Sequence, residues 1–441
     1  MTAPQTAGPV SPGLLKVMER AKADREVRFR SLAHLMDEQC LERAYHRLRA
    51  DAAEGVDGVS KEQYGGALQR NLQDLLHRLK TKGYRHQPIV RVHLPKDKGK
   101  ARPIGIGTVE DKVVEGALSE VLGAIYEQDF LDCSYGFRPG RSAHVAVRAL
   151  NDALYPDAVR VILEADVQSF FDSLCRRTLL EMLQRRVVDG AMLQLVSKCL
   201  HAGVLDGEQF TRPEVGAPQG SRLSPLLGNI YLHYALDEWF ERDIRPRLRG
   251  KALLVRYADD FVIAFEWPDD AQRVLDALGE RLGRYGLSLH PDKTRLVPFE
   301  QPPRDQSQGK GPATFDFLGF TFYWVRSRSG RWVPRCKTRR ERLRRAIQRV
   351  YLRCRSQRHR PVAEQHATLK SRLQGHFNYF GVNGNVGSLR LLLRQAERAW
   401  FKWLCRRSQR ARLTWMRFKD LLKDFPLPRP RVVVDIWGMV P

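Results

Sequence analysis

The chain has 441 residues and a formal net charge of +25, with 43% hydrophobic and 28% charged residues. This length predicts two or three domains that each bury a core, and the positive charge indicates a polyanionic partner. No apolar run approaches the roughly 20 residues of a membrane span, and the seven cysteines include no Cys-X-X-Cys pair. We therefore expect reduced cysteines in a cytoplasmic chain without a membrane segment or a metal-stapled module.

The N-terminal part of the chain is predicted to be helical. Residues 1–13 are rich in Pro, Ala, Thr and Gly, are expected to be loose, and lack the basic-then-apolar pattern of a signal peptide. Residues 14–79 show helical periodicity that breaks at the Gly-Val-Asp-Gly of residues 55–58. Residues 80–320 then alternate strand-like and helical segments, which predicts an α+β domain, interrupted by a polar loop at residues 301–312.

Three carboxylates lie in or at the end of apolar, strand-like runs. Asp166 ends a β-branched run, and Asp259 and Asp260 interrupt the apolar residues 253–265. An Asp-Asp pair by itself is more often a plain hairpin turn. With the upstream acid, however, the three could hold two Mg²⁺ ions, or Mn²⁺ as the alternative, with the backbone carbonyl of Val167 as a further ligand. This donor set suits nucleotidyl transfer.

Seven short motifs follow one another along the chain, and in this order they resemble the motifs of reverse transcriptases. More narrowly, they resemble the bacterial group II intron-encoded reverse transcriptase and maturase family, over roughly residues 30–431. The motifs lie at residues 96–106, 134–142, 160–171, 217–225, 253–265, 289–294 and 317–320.

The resemblance implies a domain organisation. Residues 14–79 correspond to the helical N-terminal extension, and residues 80–320 to the fingers and palm of a right-hand polymerase. Residues 321–431 correspond to an α-helical thumb or maturase (X) domain, and residues 432–441 form a tail. Because so few residues follow position 431, we expect the C-terminal HNH endonuclease of many family members to be missing.

The same resemblance implies contacts with the incoming nucleotide. Lys96 and Arg102 flank a turn between two strand-like runs and would contact the triphosphate. Phe171 would wall the sugar pocket against a ribose 2′-hydroxyl, which implies deoxynucleotide substrates, and Gln219 in its Pro-Gln-Gly turn would line the nucleotide. By residue type alone, these would be a solvated basic hairpin, a core phenylalanine and an ordinary turn.

Catalysis and primer binding follow from the resemblance in the same way. Asp166, Asp259 and Asp260 are the implied catalytic metal ligands, and Lys293 resembles a general acid that protonates the departing pyrophosphate. A strand that grips the primer end corresponds to four consecutive residues: Phe317, Leu318, Gly319 and Phe320. Without the other motifs, these would be a surface lysine and an ordinary buried strand.

Positive charge is concentrated at the C-terminal end. Residues 321–441 hold 30 Lys and Arg against 6 Asp and Glu, whereas residues 1–320 hold 45 against 44. Residues 389–404 place apolar side chains at helical spacing, which predicts a helix with one packed face and one basic face. A membrane-surface helix is the competing interpretation. The predicted RNA-binding cations on this helix are Arg390, Arg394, Arg398, Lys402 and Arg406.

Two functions of different class fit these observations. The first is an RNA-directed DNA polymerase that also acts as a maturase and supports intron mobility by target-primed reverse transcription. The second is an RNA-binding splicing maturase that makes little use of polymerisation. A domesticated reverse transcriptase in a defence, CRISPR or diversity-generating system is a third alternative. The maturase-like C-terminal region, residues 321–431, disfavours it. The expected partners are group II intron RNA, an RNA template with a DNA primer, and dNTPs.

Overall fold

The computed structural model describes residues 11–95, 101–154, 159–303, 313–327, 329–408 and 413–437. The chain divides into two compact units, one of residues 1–141, 166–247 and 274–292, the other of residues 142–165, 248–273 and 293–441. The fold is mixed α/β, as predicted. Within the described residues, no helix is both long and apolar enough to cross a membrane. All seven cysteines are free thiols.

The first unit begins with helices that pack around one long buried helix. Its helices are α1 (Pro12–Ala23), α2 (Glu38–His46), α3 (Lys61–Gly65), α4 (Leu68–Lys80), α5 (Val109–Asp129), α7 (Phe170–Ser173), α8 (Arg176–Gln184), α9 (Gly190–Leu200) and α10 (Ser224–Leu232). Helices α1 and α2 pack on α5, whose central residues are almost all buried. Helices α1 to α4 confirm that this region is helical, and the predicted break at residues 55–58 lies between α2 and α3. Residues 24–37 form a second separation, between α1 and α2, that was not predicted.

A four-stranded sheet completes the first unit, in the order β2-β1-β4-β5. Its strands are β1 (Ile89–Pro95), β2 (Ala101–Ile106), β4 (Val204–Asp206) and β5 (Gln209–Thr211). Strands β1 and β2 pair antiparallel, with Val90 opposite Ile106 and Leu94 opposite Arg102. This confirms the predicted hairpin, whereas Lys96 lies outside the described residues.

The second unit contains two sheets and a C-terminal group of helices. Its strands are β3 (Val161–Asp166), β6 (Ala252–Tyr257), β7 (Asp260–Phe265), β8 (Arg295–Pro298), β9 (Phe315–Phe317), β10 (Phe320–Arg326) and β11 (Trp332–Thr338). The last residue of β3, Asp166, is assigned to the first unit. The sheet orders are β6-β7-β3-β8 and β11-β10-β9. The helices are α6 (Ala143–Leu154), α12 (Arg340–Ser356), α13 (Val362–Phe380), α14 (Val386–Cys405) and α15 (Trp415–Asp424), while α11 (Pro268–Gly283) contributes residues to both units.

Residue 321, where the C-terminal domain is expected to start, lies in a strand, and the boundary itself remains a prediction. That position lies inside β10, and helices begin only at Arg340 after a second strand, β11. Buried Phe320, Phe322 and Trp324 alternate with less buried residues along β10. This period of two is that of a strand with one packed face, and β10 and β11 both belong to the β11-β10-β9 sheet.

The basic, amphipathic helix predicted over residues 389–404 is confirmed as α14. Its predicted apolar face is buried, apart from the half-buried Leu393, and includes the fully buried Trp400. The five predicted cations on its other face are all exposed. Burial of one stripe therefore explains why this strongly basic segment is folded.

Asp189 is a buried carboxylate that joins the N-terminal region to α9. Its oxygens accept hydrogen bonds from the backbone N–H groups of Leu32 (2.6 Å), Ala33 (3.0 Å), Ala191 (2.9 Å) and Met192 (3.2 Å). Burial alone would raise the pKa of Asp189, but these four hydrogen bonds outweigh burial and lower it. The ionised carboxylate is therefore the form that stabilises this junction.

We expect Asp189→Asn to lower the free energy of unfolding by about 2 kcal/mol at neutral pH, because an amide accepts these bonds less strongly. Since the folded pKa is depressed, the contribution of Asp189 is present above its unfolded pKa and is lost as pH falls through the folded pKa. Urea unfolding at neutral and acidic pH measures the effect. The difference from wild type should shrink in acid, and Asp51→Asn, at an exposed ion pair with Arg49, is the control. A difference that grows in acid contradicts this assignment.

Candidate active site

The two adjacent aspartates lie at the turn of the β6–β7 hairpin, as predicted. Tyr257 pairs with Asp260, so Ala258 and Asp259 form a two-residue turn, and Ala258 has the positive φ of 57° that primed hairpin turns require. Both carboxylates are half-buried. Asp259 is thus at the tip of the hairpin, and Asp260 is the first residue of β7.

A buried arginine beneath the hairpin was missed by the sequence analysis. Arg256 is fully buried, and its guanidinium donates a hydrogen bond to the carbonyl oxygen of Ala258 at 3.1 Å. This hydrogen bond holds the turn of the hairpin in place. The signal in the sequence was a single arginine within an apolar strand, which is costly to bury without partners.

Asp166 ends β3, the strand that lies next to β7 in the sheet. Its backbone carbonyl accepts a hydrogen bond from the N–H of His290 at 2.8 Å, and Gln168 donates to the carbonyl of Ser288 at 2.8 Å. Val167, between them, is buried and pairs with Leu289. These contacts attach the predicted 289–294 motif to the end of β3. Lys293, in the same motif, is exposed.

A second acid on β3, Glu164, was also missed. It lies two residues before Asp166 and therefore on the same face of the strand. Glu164 is 8% exposed and accepts hydrogen bonds from the guanidinium of Arg295 on β8 and from the backbone N–H of Asp316 on β9. It joins three strands, which makes it a structural acid that fixes the position of the strand end.

The predicted sugar-pocket residue and the Pro-Gln-Gly turn are connected in the first unit. The carbonyl oxygen of Phe171 accepts a hydrogen bond from the N–H of Ala217 at 2.7 Å, and its half-buried ring packs edge-on against Phe170. The carbonyl of Gln219 accepts a bond from the N–H of Gly105 on β2 at 2.5 Å. Backbone hydrogen bonds therefore connect the motif of residues 217–225 to the motifs of residues 160–171 and 96–106.

Gly220 is required at this junction for two reasons. Its φ is +112°, and a Cβ there would lie 2.4 Å from the carbonyl oxygen of Gly105. An L-residue would be strained and would also separate the turn from β2. Arg102, the other predicted nucleotide contact on that strand, is exposed.

A buried polar cluster contacts the motif of residues 217–225. Glu115 accepts a hydrogen bond from the N–H of Arg222 at 2.9 Å and lies 3.4 Å from the buried imidazole of His86. Asp111 accepts a hydrogen bond from Tyr84 at 2.6 Å. Burial alone would lower the pKa of His86, but the two carboxylates outweigh it and raise that pKa. This cluster, which holds residue 222 in place, was not found from the sequence because its members lie far apart along the chain.

The prediction of one continuous, primer-contacting strand at residues 317–320 is wrong about the local structure. Phe317 ends β9, Phe320 begins β10, and the two residues pair with each other. Leu318 and Gly319 have φ values of 50° and 81°, which is the two-residue turn typical of hairpins with two positive φ angles. The four residues therefore form a hairpin turn, since only a reversal lets β9 and β10 pair.

Tyr379 of α13 contacts this turn. Its hydroxyl donates a hydrogen bond to the carbonyl of Leu318 at 2.9 Å, and its ring stacks on Phe320 at 6.0 Å between centroids. Burial, with smaller contributions from Tyr257 and Asp260, raises the pKa of Tyr379 to about 12. Tyr379 is therefore a protonated donor at neutral pH, within electrostatic range of Asp260.

Among the described residues, no group of three or more His, Cys, Asp or Glu side chains is arranged to hold a metal ion by itself. The three predicted ligands nevertheless offer only oxygen atoms, which is the donor set that Mg²⁺ and Mn²⁺ prefer. Their chemistry thus fits such an ion, and their convergence on it remains a prediction.

A hairpin that carries paired acids, next to a strand that ends in a third acid, is typical of nucleic-acid polymerases that depend on divalent metal. Residues 94–322 match the family model described as reverse transcriptase (RNA-dependent DNA polymerase). The chain belongs to this family, which confirms the predicted class of enzyme.

The curated relatives agree with this assignment. Protein YkfC of Escherichia coli K12 is 34% identical over 272 residues, which cover 55% of this chain and 71% of that protein. The group II intron-encoded protein LtrA of Lactococcus lactis is 29% identical over 320 residues, 59% of this chain and 53% of LtrA. Nuclear intron maturase 2 of Arabidopsis thaliana is 28% identical over 181 residues, 32% of this chain and 24% of that protein. The chain thus spans about half the length of LtrA, and the predicted resemblance to intron-encoded reverse transcriptases is confirmed.

Proposed function

We propose that this chain extends a DNA primer on an RNA template, with Asp166, Asp259 and Asp260 as ligands of two Mg²⁺ ions. The observation that carries the proposal is the β6–β7 hairpin, which has Asp259 at its tip and Asp260 at the start of the strand beside β3. The carbonyl of Val167 is the further oxygen ligand. When bound, the ions supply the Lewis acidity that attack of a primer 3′-hydroxyl on a nucleoside triphosphate requires.

The nucleotide would contact the network of β2, Phe171 and Gln219. Arg102, with Lys96, binds the triphosphate through charge-assisted hydrogen bonds, and Lys293 protonates the departing pyrophosphate. The hydrogen bonds from Ala217 to Phe171 and from Gly105 to Gln219 support this arrangement because they fix the backbone of both contacts. The hairpin turn of residues 317–320 contacts the end of the primer.

We expect Phe171→Val to admit ribonucleotides, because a smaller side chain leaves room for the 2′-hydroxyl. The ratio of dNTP to rNTP incorporation efficiency should fall at least about tenfold, which corresponds to about 1.4 kcal/mol of lost discrimination. Single-nucleotide incorporation on an RNA template measures the ratio. Phe171→Tyr, which keeps the bulk of the ring, should retain the wild-type ratio. If the ratio is the same for wild type and Phe171→Val, this side chain does not line the sugar pocket.

The domain organisation proposed for this function follows the right-hand polymerases. Residues 80–320 form the fingers and palm, with the β6-β7-β3-β8 sheet as the palm and the β1–β2 hairpin in the fingers. The thumb and maturase domain is the group of helices α12 to α15. Its basic composition supports a role in nucleic-acid binding, since 30 of the 75 Lys and Arg residues lie in residues 321–441.

We further propose that the chain binds group II intron RNA as a maturase and supports splicing and intron mobility by target-primed reverse transcription. The exposed cations of α14 and the relatives that are named as intron-encoded proteins and maturases support this role. Primer extension and intron splicing, assayed with the same purified chain, test the two activities separately. An intron domain V beside the gene favours the mobile-intron role, whereas flanking CRISPR repeats favour domestication.

A further inference from the structure

Helices α12 and α13 line a cavity of about 560 Å³ whose surface is dominated by arginine. The two other side chains that line it are a leucine and a serine, so none of its described lining residues is acidic. Its arginines are Arg349, Arg353, Arg355 and Arg358, from α12 and the residues just after it, and Arg372 from α13. A concave site with five guanidinium groups is chemically suited to an anion with several charges.

The arginines in this cavity repel one another. Arg349 and Arg353 are four residues apart on α12, where like charges destabilise a helix. Burial lowers the pKa of Arg372, and the positive charges of Arg353 and Arg349 lower it further. Folding therefore holds these three charges together at an energetic cost, and a bound anion would relieve that cost.

The positive surface continues from the cavity onto α14. Four cations surround the ring of Trp403: Arg355 at 5.7 Å, Arg358 at 5.9 Å, Lys402 at 6.0 Å and Arg406 at 5.7 Å. Attraction to the ring face holds these side chains near one another in spite of their like charge. Because two of them also line the cavity, the cavity and the C-terminal end of α14 form one basic surface.

We propose that this arginine cavity binds neighbouring phosphates of an RNA backbone that continues along the C-terminal end of α14. A ligand confined to the cavity, such as a free nucleotide, would leave the cations around Trp403 without a phosphate. A longer polyanion can contact both parts. This inference rests on the proposed RNA-binding function, and it identifies the phosphate-binding residues on α12 and α13.

The test is a cavity variant that carries Arg349→Gln, Arg353→Gln and Arg372→Gln. Its affinity for a short RNA hairpin, measured over a range of salt concentration, should show a log–log slope about two to three units smaller than that of wild type. Its thermal midpoint should be unchanged or higher, because like-charge repulsion is relieved. The matched control is Arg177→Gln, Arg242→Gln and Arg249→Gln, which removes the same charge from exposed arginines that form ion pairs elsewhere. The control should change the slope by less than about one unit.

Inorganic phosphate provides a second measurement that needs no RNA. It should raise the thermal midpoint of the wild-type chain more than that of Arg372→Gln, since anion binding stabilises the folded state. An equal increase in both proteins, or a cavity variant with the wild-type salt slope, overturns the inference. Equal loss of RNA affinity in the cavity and control variants also overturns it. So does a cavity variant that keeps its RNA affinity and loses only binding to anionic lipid vesicles. If α14 variants lose RNA affinity while the cavity variant does not, only this inference fails; if neither loses it, the proposed RNA-binding function fails as well.

Discussion

Asp259→Asn and Asp260→Asn are each expected to lower the rate of primer extension on an RNA template at least about 10³-fold. The reason is that metal ligation supplies several kcal/mol of transition-state stabilisation, and about 4 kcal/mol corresponds to that factor. An amide keeps the size of the carboxyl group but removes its charge, so the hairpin turn should persist. The measurement is primer extension with dNTPs and Mg²⁺, with the thermal midpoint recorded for each variant.

Two comparisons make this result specific. Asp269→Asn changes an exposed acid in the first turn of α11 and should leave extension at the wild-type rate. RNA affinity and splicing assistance should persist in both hairpin variants, because the proposed RNA contacts lie on the C-terminal helices. If either hairpin variant extends primers at the wild-type rate, the metal-ligand assignment is wrong.

The second large effect is expected from the basic face of α14. Changing Arg390, Arg394, Arg398 and Lys402 to Gln keeps helix-compatible residues and leaves the buried face unchanged. Each lost phosphate contact should lower the slope of log affinity against log salt by about 0.7 to 0.9, so four contacts remove roughly three units. Intron RNA affinity between low and physiological salt measures this change, on a variant whose thermal melt matches wild type.

One of these four cations also interacts with a ring of the chain itself. The ammonium group of Lys402 lies over the ring of Tyr351, 5.1 Å from its centroid. It therefore already makes a cation–π contact within the chain. A quadruple change to Gln controls for net charge. It is made at four exposed arginines that form ion pairs elsewhere: Arg177, Arg242, Arg245 and Arg249. A wild-type salt slope in the α14 variant would mean that this face does not contact RNA.

Local patterns in the sequence were sufficient for several elements. The apolar run that reaches Asp166 is strand β3, the run around Asp259 and Asp260 is a hairpin, and the apolar stripe of residues 389–404 is the buried face of α14. Each depends on hydrophobic periodicity within one segment, which a sequence displays directly. The family resemblance depended on the order of the motifs, and the match to the reverse transcriptase model agrees with it.

The same local reasoning failed at residues 317–320. An aromatic, apolar run is typical of a buried strand, yet Leu318 adopts a positive φ of 50°. That backbone conformation is unfavourable for a residue with a β-carbon. The hydrogen bond from the Tyr379 hydroxyl to the Leu318 carbonyl helps to stabilise it. Tyr379 lies 61 residues further along the chain, so no pattern near the turn could have predicted it.

The sequence by itself therefore determined the enzyme family, the identity of the candidate acids, and the strands, hairpin and helix that carry them. Only the tertiary structure decided which contacts the supporting side chains make: Glu164 with Arg295 on β3 and β8, Arg256 with Ala258 in the β6–β7 hairpin, and Glu115 with the backbone of Arg222 in the first unit. It also decided that arginines of α12 and α13 share one cavity. The physical reason is that periodicity reports which face of a segment is buried, whereas the partner of a buried charge is chosen by packing between segments far apart in the chain.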